Sequence, residues 1–446
     1  MVLGLGKLFG KKDAAAPAAT TPPPVETTSG GDAGISSFLR REAVFDRQRK
    51  LAGHVVRLQH LDVGLGNAST PRQKSIDDAL LRSLVACADE EGWGSQLVFI
   101  PLSSESLGNS AIDRLPTSNT VLLLHLAPET EDISALADRL AALSQRGIRL
   151  GFFRQPKHPA FGAALLFADF AAIDVAHSLG INIRDFSVAL RAEEIRHSMT
   201  LIAIGIESLD DFRLCLQCHF DLFHGPFTTS TDKADESRGD PHKLHLLHLF
   251  NLVQSDAETS EVAAALKQDP LLTFRIMRYL NSAAIGLSRP LASIDQALVM
   301  LGRQRLARWL SVLLFSVKDP DFGDWLLVES ALARGRFMEV LGSERFPAAD
   351  TDHLFITGVF SRLDRLLRIP LEQALAQVPL PTNVRNALVD GSGPYGPLLA
   401  LAAACDSGEA AALEAATQAA GLDPDKVNRA LIGATTWAND ITAHWE

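Results

Sequence analysis

Cysteine is scarce: Cys87, Cys215, Cys218 and Cys405 are the four in 446 residues. They are too few and too scattered for a disulfide scaffold, so a reducing, cytoplasmic setting is expected. Long apolar runs are missing as well. A membrane-spanning helix needs about 20 apolar residues, whereas Trp309–Val317 is short and the stretch 161–176 is broken by Asp169 and Asp174. The opening MVLGLGKLFGKKD has Lys7, Lys11 and Lys12 but no apolar core with a cleavage site, so no leader is expected. It reads either as a loose tail or, through Val2, Leu3, Leu5, Leu8 and Phe9, as a weak membrane-surface contact. A basic excess is absent too. Lys+Arg total 42 against 53 Asp+Glu, a formal charge of −11, and no nucleic-acid partner is expected. The glycine pairs Gly4/Gly6 and Gly64/Gly66 lack the third glycine of a dinucleotide loop.

What remains is ordinary globular material, 47% apolar and 21% charged, and the length suits two to three domains at roughly 150 residues each. Residues 13–34 are Ala, Pro, Thr and Gly with little to pack, so 1–35 reads as a disordered tail or linker. From 36 to 232, short apolar runs alternate with helical periodicity. Strands are predicted at 54–58, 96–102, 120–126, 148–153, 171–175, 200–206 and 221–227, with helices at 75–90, 132–146, 185–197 and 208–218. That alternation implies parallel β-α units, closed as a compact TIM-like (β/α) barrel or laid out as a doubly wound sheet. A polar break at 230–243 follows, and 238–446 reads as all-α. Ser293-Ile-Asp-Gln296 is a capping box, and Gly302 stands where a C-cap belongs.

With Asp269-Pro270, Asn281-Ser282 and Trp437 in the second half, and Arg41–Arg47, Asp174 and Glu207 in the first, the motifs resemble those of tandem signalling proteins in which an EAL barrel precedes an HDOD domain. On the helical side Leu266–Leu272 with Asp269 and Pro270, Arg278–Ala284 with Asn281 and Ser282, Ser293–Gly302 followed by Trp309, Thr357–Asp364 and Thr436–Ala438 around Trp437 resemble HDOD signatures. These residues are expected to be mainly structural. On the barrel side Arg41–Arg47, Gly53, Ile173-Asp174, Ala203–Glu207 and His224-Gly225 resemble EAL strands.

The resemblance also implies a metal-dependent cyclic di-GMP phosphodiesterase, and the positions that would carry it have changed. The namesake glutamate falls near Val55, the phosphate-binding arginine near Gln59 and an asparagine near Pro101. Another glutamate falls within 123–125, paired aspartates at Gly151 and Phe152, a lysine at Ala172, a glutamate at Ile204 and a glutamine at His224. Asp174 and Glu207 survive, too few carboxylates to hold divalent cations for attack by an activated water. On the helical side the His-Asp pair of HD hydrolases is replaced by Ser361 and Arg362. The expectation is therefore a chain with no catalytic residues, no metal, no cofactor and no enzyme activity. Its role would be a cytoplasmic signal-transduction adaptor that binds protein partners or a second copy of itself, by resemblance in cyclic di-GMP-linked control of motility or surface behaviour. The alternative is a non-catalytic sensor binding a nucleotide in the barrel mouth.

Three other groupings have ordinary readings. Cys215-Leu-Gln-Cys218-His219 spells a haem-attachment motif or, with His224, part of a zinc site, but sits on a helix where buried thiols act as small hydrophobes. His242, His245 and His248 recur at spacing three, as metal donors or as a polar helix start. Arg303, Arg305 and Arg308 beside Trp309 form a basic stretch that could meet a partner or a phosphate.

Overall fold

In the computed structural model, residues 38–59, 70–88, 93–94, 96–192, 199–229, 241–255, 257–269, 272–273, 293–315, 322–376, 378–407 and 409–442 are described. Eight strands close into a barrel in sequence order. They are β1 Leu39–Asp46, β2 Leu51–Leu58, β3 Leu97–Ser103, β4 Thr120–His125, β5 Arg149–Phe153, β6 Phe170–Asp174, β7 Thr200–Ile204 and β8 Leu222–His224. Helices α1 Thr70–Cys87, α2 Ser134–Gln145, α3 Phe161–Ala164, α4 Gly180–Ala192 and α5 Leu209–Gln217 lie between them. The closed barrel decides against the open doubly wound sheet.

The strands expected from alternation are present, and one more precedes them. β1 runs antiparallel to both β2 and β8, whereas β2 through β8 pair in parallel. β1 and β2 form a hairpin in which Asp46 Oδ1 accepts the Gln48 and Lys50 backbone N–H groups, both at 2.8 Å. Side-chain parity divides the strands. Val44, Val55, Phe99, Val121, Leu123, Phe153, Phe170, Ala172, Ile202, Ile204 and Leu222 fill the interior as one apolar cluster.

The second unit is helical: α6 Pro241–Gln254, α7 Thr259–Lys267, α8 Ile294–Leu301, α9 Arg303–Leu314, α10 Phe322–Gly342, α11 Thr351–Phe360, α12 Leu363–Leu367, α13 Leu371–Ala376, α14 Thr382–Asp390, α15 Gly396–Ser407, α16 Ala410–Ala419 and α17 Pro424–Thr442. The Ser293 side chain accepts the Gln296 N–H at 3.2 Å, so Ser293 is the N-cap that the capping-box pattern implies, and Gly302 ends α8 at φ 75°. α10 and α11 cross at two glycines. A Cβ on Gly358 would lie 2.6 Å from the Arg334 carbonyl oxygen, and one on Gly335 2.9 Å from that of Phe355, so neither position has room for a larger residue.

A hairpin has no crossover helix, so the outer face of β1–β2 needs another cover. α10 and α17 supply it. Phe38 belongs to the core of the helical unit, Ile432 of α17 belongs to the barrel's outer core, and Leu326 of α10 packs on its second outer core. Full burial of an apolar side chain of this size stabilises by about 1.5–3 kcal/mol. Polar contacts fix the register: the Leu39 N–H donates to Asn428 Oδ1 at 2.9 Å, and Arg41 Nη1 to the Ile432 carbonyl at 3.1 Å.

Between the units sit Arg41, His54 and Glu329, the histidine buried and the two charged side chains partly buried. Arg41 Nη2 lies 3.1 Å from His54 Nδ1, and His54 Nε2 lies 2.7 Å from Glu329 Oε1. A guanidinium can only donate, so Nδ1 accepts and the imidazole proton sits on Nε2, donating to Glu329. Burial, then the Arg41 charge, push the His54 pKa below its ordinary value. Burial works against the Glu329 carboxylate, yet its partners hold its pKa low. The cluster is a neutral histidine between one cation and one anion.

Glu329→Ala would leave Arg41 buried without its counter-charge and should cost about 3–5 kcal/mol, read as a lower urea midpoint of the whole chain. An unchanged midpoint contradicts this account of the junction.

Candidate functional site

The C-terminal ends of barrel strands form the mouth, where such folds carry their chemistry. Parity from the apolar interior carries Glu42 on β1, Arg57 and Gln59 on and after β2, His125 on β4, Asp174 on β6 and His224 on β8 to that end. The mouth is therefore not the apolar surface that the replaced motif positions suggest. Sequence reasoning missed Glu42, Arg57 and His125 because it followed motif register; the alternation Val55, Arg57, Gln59 along one strand was the available signal.

Glu42 Oε2 lies 3.1 Å from His224 Nε2, and Arg40 Nη2 lies 3.0 Å from Glu42 Oε1. Burial opposes the Glu42 charge, but His224, Arg57 and Arg40 outweigh it and set its pKa at about 2. Burial lowers the His224 pKa despite Glu42. His125 stacks on Phe153 with ring centroids 4.0 Å apart, and burial, aided by Arg57, lowers its pKa to about 4. At neutral pH the ring is uncharged and able to accept a proton. His125 Nε2, His224 Nδ1 and both amide atoms of Gln59 are buried with no hydrogen-bond partner. Buried polar atoms are ordinarily paired, so orphans converging at a barrel mouth suit a hydrogen-bonding ligand.

Asp174 is held by His177 Nδ1 at 2.9 Å, and Glu207 is exposed. Among the described residues, no group of three or more His, Cys, Asp and Glu side chains is arranged to hold a metal ion. The divalent cations that the EAL resemblance implies do not fit this donor set.

The other candidates separate. Arg308 is 4% exposed, clamped by Glu339 (Nη1 to Oε1 2.6 Å, Nη2 to Oε2 2.9 Å) and Asp352 (3.2 Å), with its guanidinium 4.1 Å over the Phe355 ring. It is a core ion pair and leaves the set of partner contacts. Arg303 and Arg305 are exposed, with Arg303 Nη1 donating to the Val253 carbonyl at 3.5 Å and Nη2 to that of Ala257. Trp309 is buried, Trp437 meets Phe355 edge-on at 5.8 Å, Gly302 caps α8, and Asp364 lies in the first turn of α12. Asp269 accepts the Leu272 N–H at 2.9 Å, while Pro270, Asn281 and Ser282 lie outside the described residues, as does the 1–35 tail. Cys215 and Cys218 are buried, and burial pushes the Cys215 thiol up to about 12. His224 turns to Glu42, away from any site with these thiols. His245 and His248 lie on α6, the first with a buried, unpartnered Nε2; the side chain of His242 is outside the description. No helix among the described residues is long and apolar enough to cross a membrane.

Residues 245–376 match the HDOD domain model. Across 420 residues, 92% of this chain and 94% of the relative, the sequence is 26% identical to a Vibrio cholerae protein named cyclic di-GMP phosphodiesterase CdgJ. A Bacillus subtilis protein, YuxH, is 22% identical over 82% of this chain and 89% of its own length. Among solved structures, the Bacillus subtilis YkuI protein, which has an EAL domain and was solved with cyclic di-GMP and calcium, aligns at 14% identity and TM-score 0.33 over 53% of this chain and 73% of that one.

The match to a relative named as a phosphodiesterase points to an enzyme and overturns the expectation that this chain is none. That expectation judged motif positions singly as losses, whereas Gln59, His125 and His224 are polar groups that stand at the mouth with Glu42 and Arg57, which the motif register never counted.

The histidines give a pH signature. His54, His125 and His224 all have folded pKa values below the ordinary 6.5, so the unfolded chain takes up protons first. Stability is complete above about 6.5 and falls as pH drops toward 4, by about 1.4 kcal/mol per unit for each histidine that stays neutral. An NMR titration should find His125 titrating near 4, moving up on Arg57→Gln; titration near 6.5 in the native chain contradicts the geometry. The chain carries an HDOD domain at residues 245–376, packed against a closed eight-stranded barrel of the kind the EAL resemblance implied.

Proposed function

We propose that this protein works in cyclic di-GMP signalling, with the barrel mouth receiving the dinucleotide and the HDOD side carrying the result to protein partners. The observation that carries the reading is the set of buried, unpartnered donors and acceptors on Gln59, His125 and His224 beside Arg57. A dinucleotide has both what these atoms lack, base and ribose hydrogen-bonding groups, and what Arg57 and Arg40 attract, phosphate oxygens. The CdgJ name supports the ligand and adds turnover of it. For turnover the mouth offers an arginine to hold a phosphoryl oxygen, with neutral His125 as a hydrogen-bond partner and His224 oriented by Glu42.

Output through proteins is supported by the way the barrel is built into its neighbour. β2 presents Arg57 to the mouth and His54 to Glu329 of the helical unit, so one strand touches both. Control of motility or surface behaviour is the output that the family resemblance implies.

Calorimetry of the full chain with cyclic di-GMP at high micromolar concentration tests the ligand. Saturable binding is expected, weakened about tenfold or more by Arg57→Gln, since a charge-assisted hydrogen bond contributes about 1.5–3 kcal/mol. Chromatography of the same samples for the linear dinucleotide, with and without Mg²⁺ or Mn²⁺, reads turnover. A flat calorimetric trace overturns the reading.

A further inference from the structure

The position that the HD resemblance gives to a His-Asp pair holds Ser361 and Arg362, and a second arginine, Arg334, reaches it from α10. Arg334 on α10 and Arg362 at the α11–α12 junction are brought together by the glycine crossing of Gly335 and Gly358, where the helices touch backbone to backbone. Arg334 Nη1 donates to Ser361 Oγ at 3.0 Å, and Ser361 Oγ donates onward to the Gly358 carbonyl at 2.7 Å. Both guanidiniums then share one oxygen of one carboxylate: Asp406 Oδ2 on α15 accepts Arg334 Nε at 2.8 Å and Arg362 Nη2 at 2.7 Å. Ser330 Oγ stands 3.5 Å from the same oxygen.

The charges do not balance. Two guanidiniums whose side chains are 10% and 14% exposed face a single carboxylate that is 36% exposed. Arg365, one turn along α12, is exposed and adds a third positive charge near Arg362. Burial first, and then the Arg334 charge, lower the Arg362 pKa, the sign of cations crowded together. Arg362 Nε is buried with no hydrogen-bond partner. A two-arginine fork with spare N–H groups, one open side and one shared counter-ion is the geometry that accepts a tetrahedral oxyanion bidentately.

We infer that Arg334, Arg362 and Arg365 form a binding site for a small phosphoryl-bearing anion, with Asp406 acting as the competing internal anion that holds the arginines in place. Arg362 in place of one member of the pair, with Arg334 beside it, thus puts an anion site where the HD resemblance implies a cation site. The site is independent of the barrel mouth, and its success or failure leaves the cyclic di-GMP reading untouched.

Calorimetry of the full chain with inorganic phosphate, against chloride at equal ionic strength, tests the proposal directly; parallel titrations with 5′-GMP and cyclic di-GMP separate monoester from diester sources. Saturable phosphate binding is expected. Arg362→Gln and Arg334→Gln should each weaken it about tenfold or more, Arg365→Gln severalfold, and Arg57→Gln not at all. Asp406→Asn, which removes the competitor, should tighten binding severalfold. Arg365→Gln changes an exposed side chain, so it keeps the test decisive if a buried variant fails to fold. A flat phosphate trace, or binding that the arginine variants leave unchanged, overturns the inference, as does weaker binding in folded Asp406→Asn.

Discussion

The structure depends on an uncovered sheet face. A barrel that opens with an antiparallel hairpin has no helix between its first two strands, so the outer side of β1 and β2 would meet water with Leu39, Phe45 and Val56 exposed. The helical unit closes that face with α10 and α17, exchanging Phe38 for Ile432 between the two cores. At the centre of the closure Arg41, His54 and Glu329 exclude water from a charged pair, with a neutral histidine as the link. Buried ion pairs are costly to form and more costly to break, so this junction favours a single docking geometry over a sliding one.

That placement gives the strand two audiences. Its inward residues Val55, Arg57 and Gln59 run from the apolar interior to the mouth, and its outward His54 reaches Glu329. On the proposed reading, a ligand that satisfies the orphan atoms of Gln59 would stiffen the strand that holds His54. Coupling of this kind needs no long pathway, because one strand carries both sites, with Arg57 three residues and Gln59 five residues from His54.

Much of this was legible in the sequence, and the gaps have physical causes. The strands from β2 to β8 announced themselves as apolar, β-branched runs because both their faces are buried. β1 did not, because Arg40, Arg41 and Glu42 interrupt it; those charges are accommodated by His54, Glu329 and His224, partners far away in sequence. Ser208 and Ser293 gave their helix starts, since capping is a local interaction spanning three residues. Arg308 misled for the opposite reason: in the sequence it belongs to a basic stretch, and its carboxylates Glu339 and Asp352 lie 31 and 44 residues away. The polar mouth was hidden by reading motif positions singly, when the side chains at that end come from five strands.

Hydrogen–deuterium exchange of the full chain with and without cyclic di-GMP tests the central claim, that the mouth and the helical unit are joined through β2. The account predicts added protection in peptides covering residues 51–59 together with those from α10 and α17. Protection confined to the barrel, or absent throughout, would contradict it.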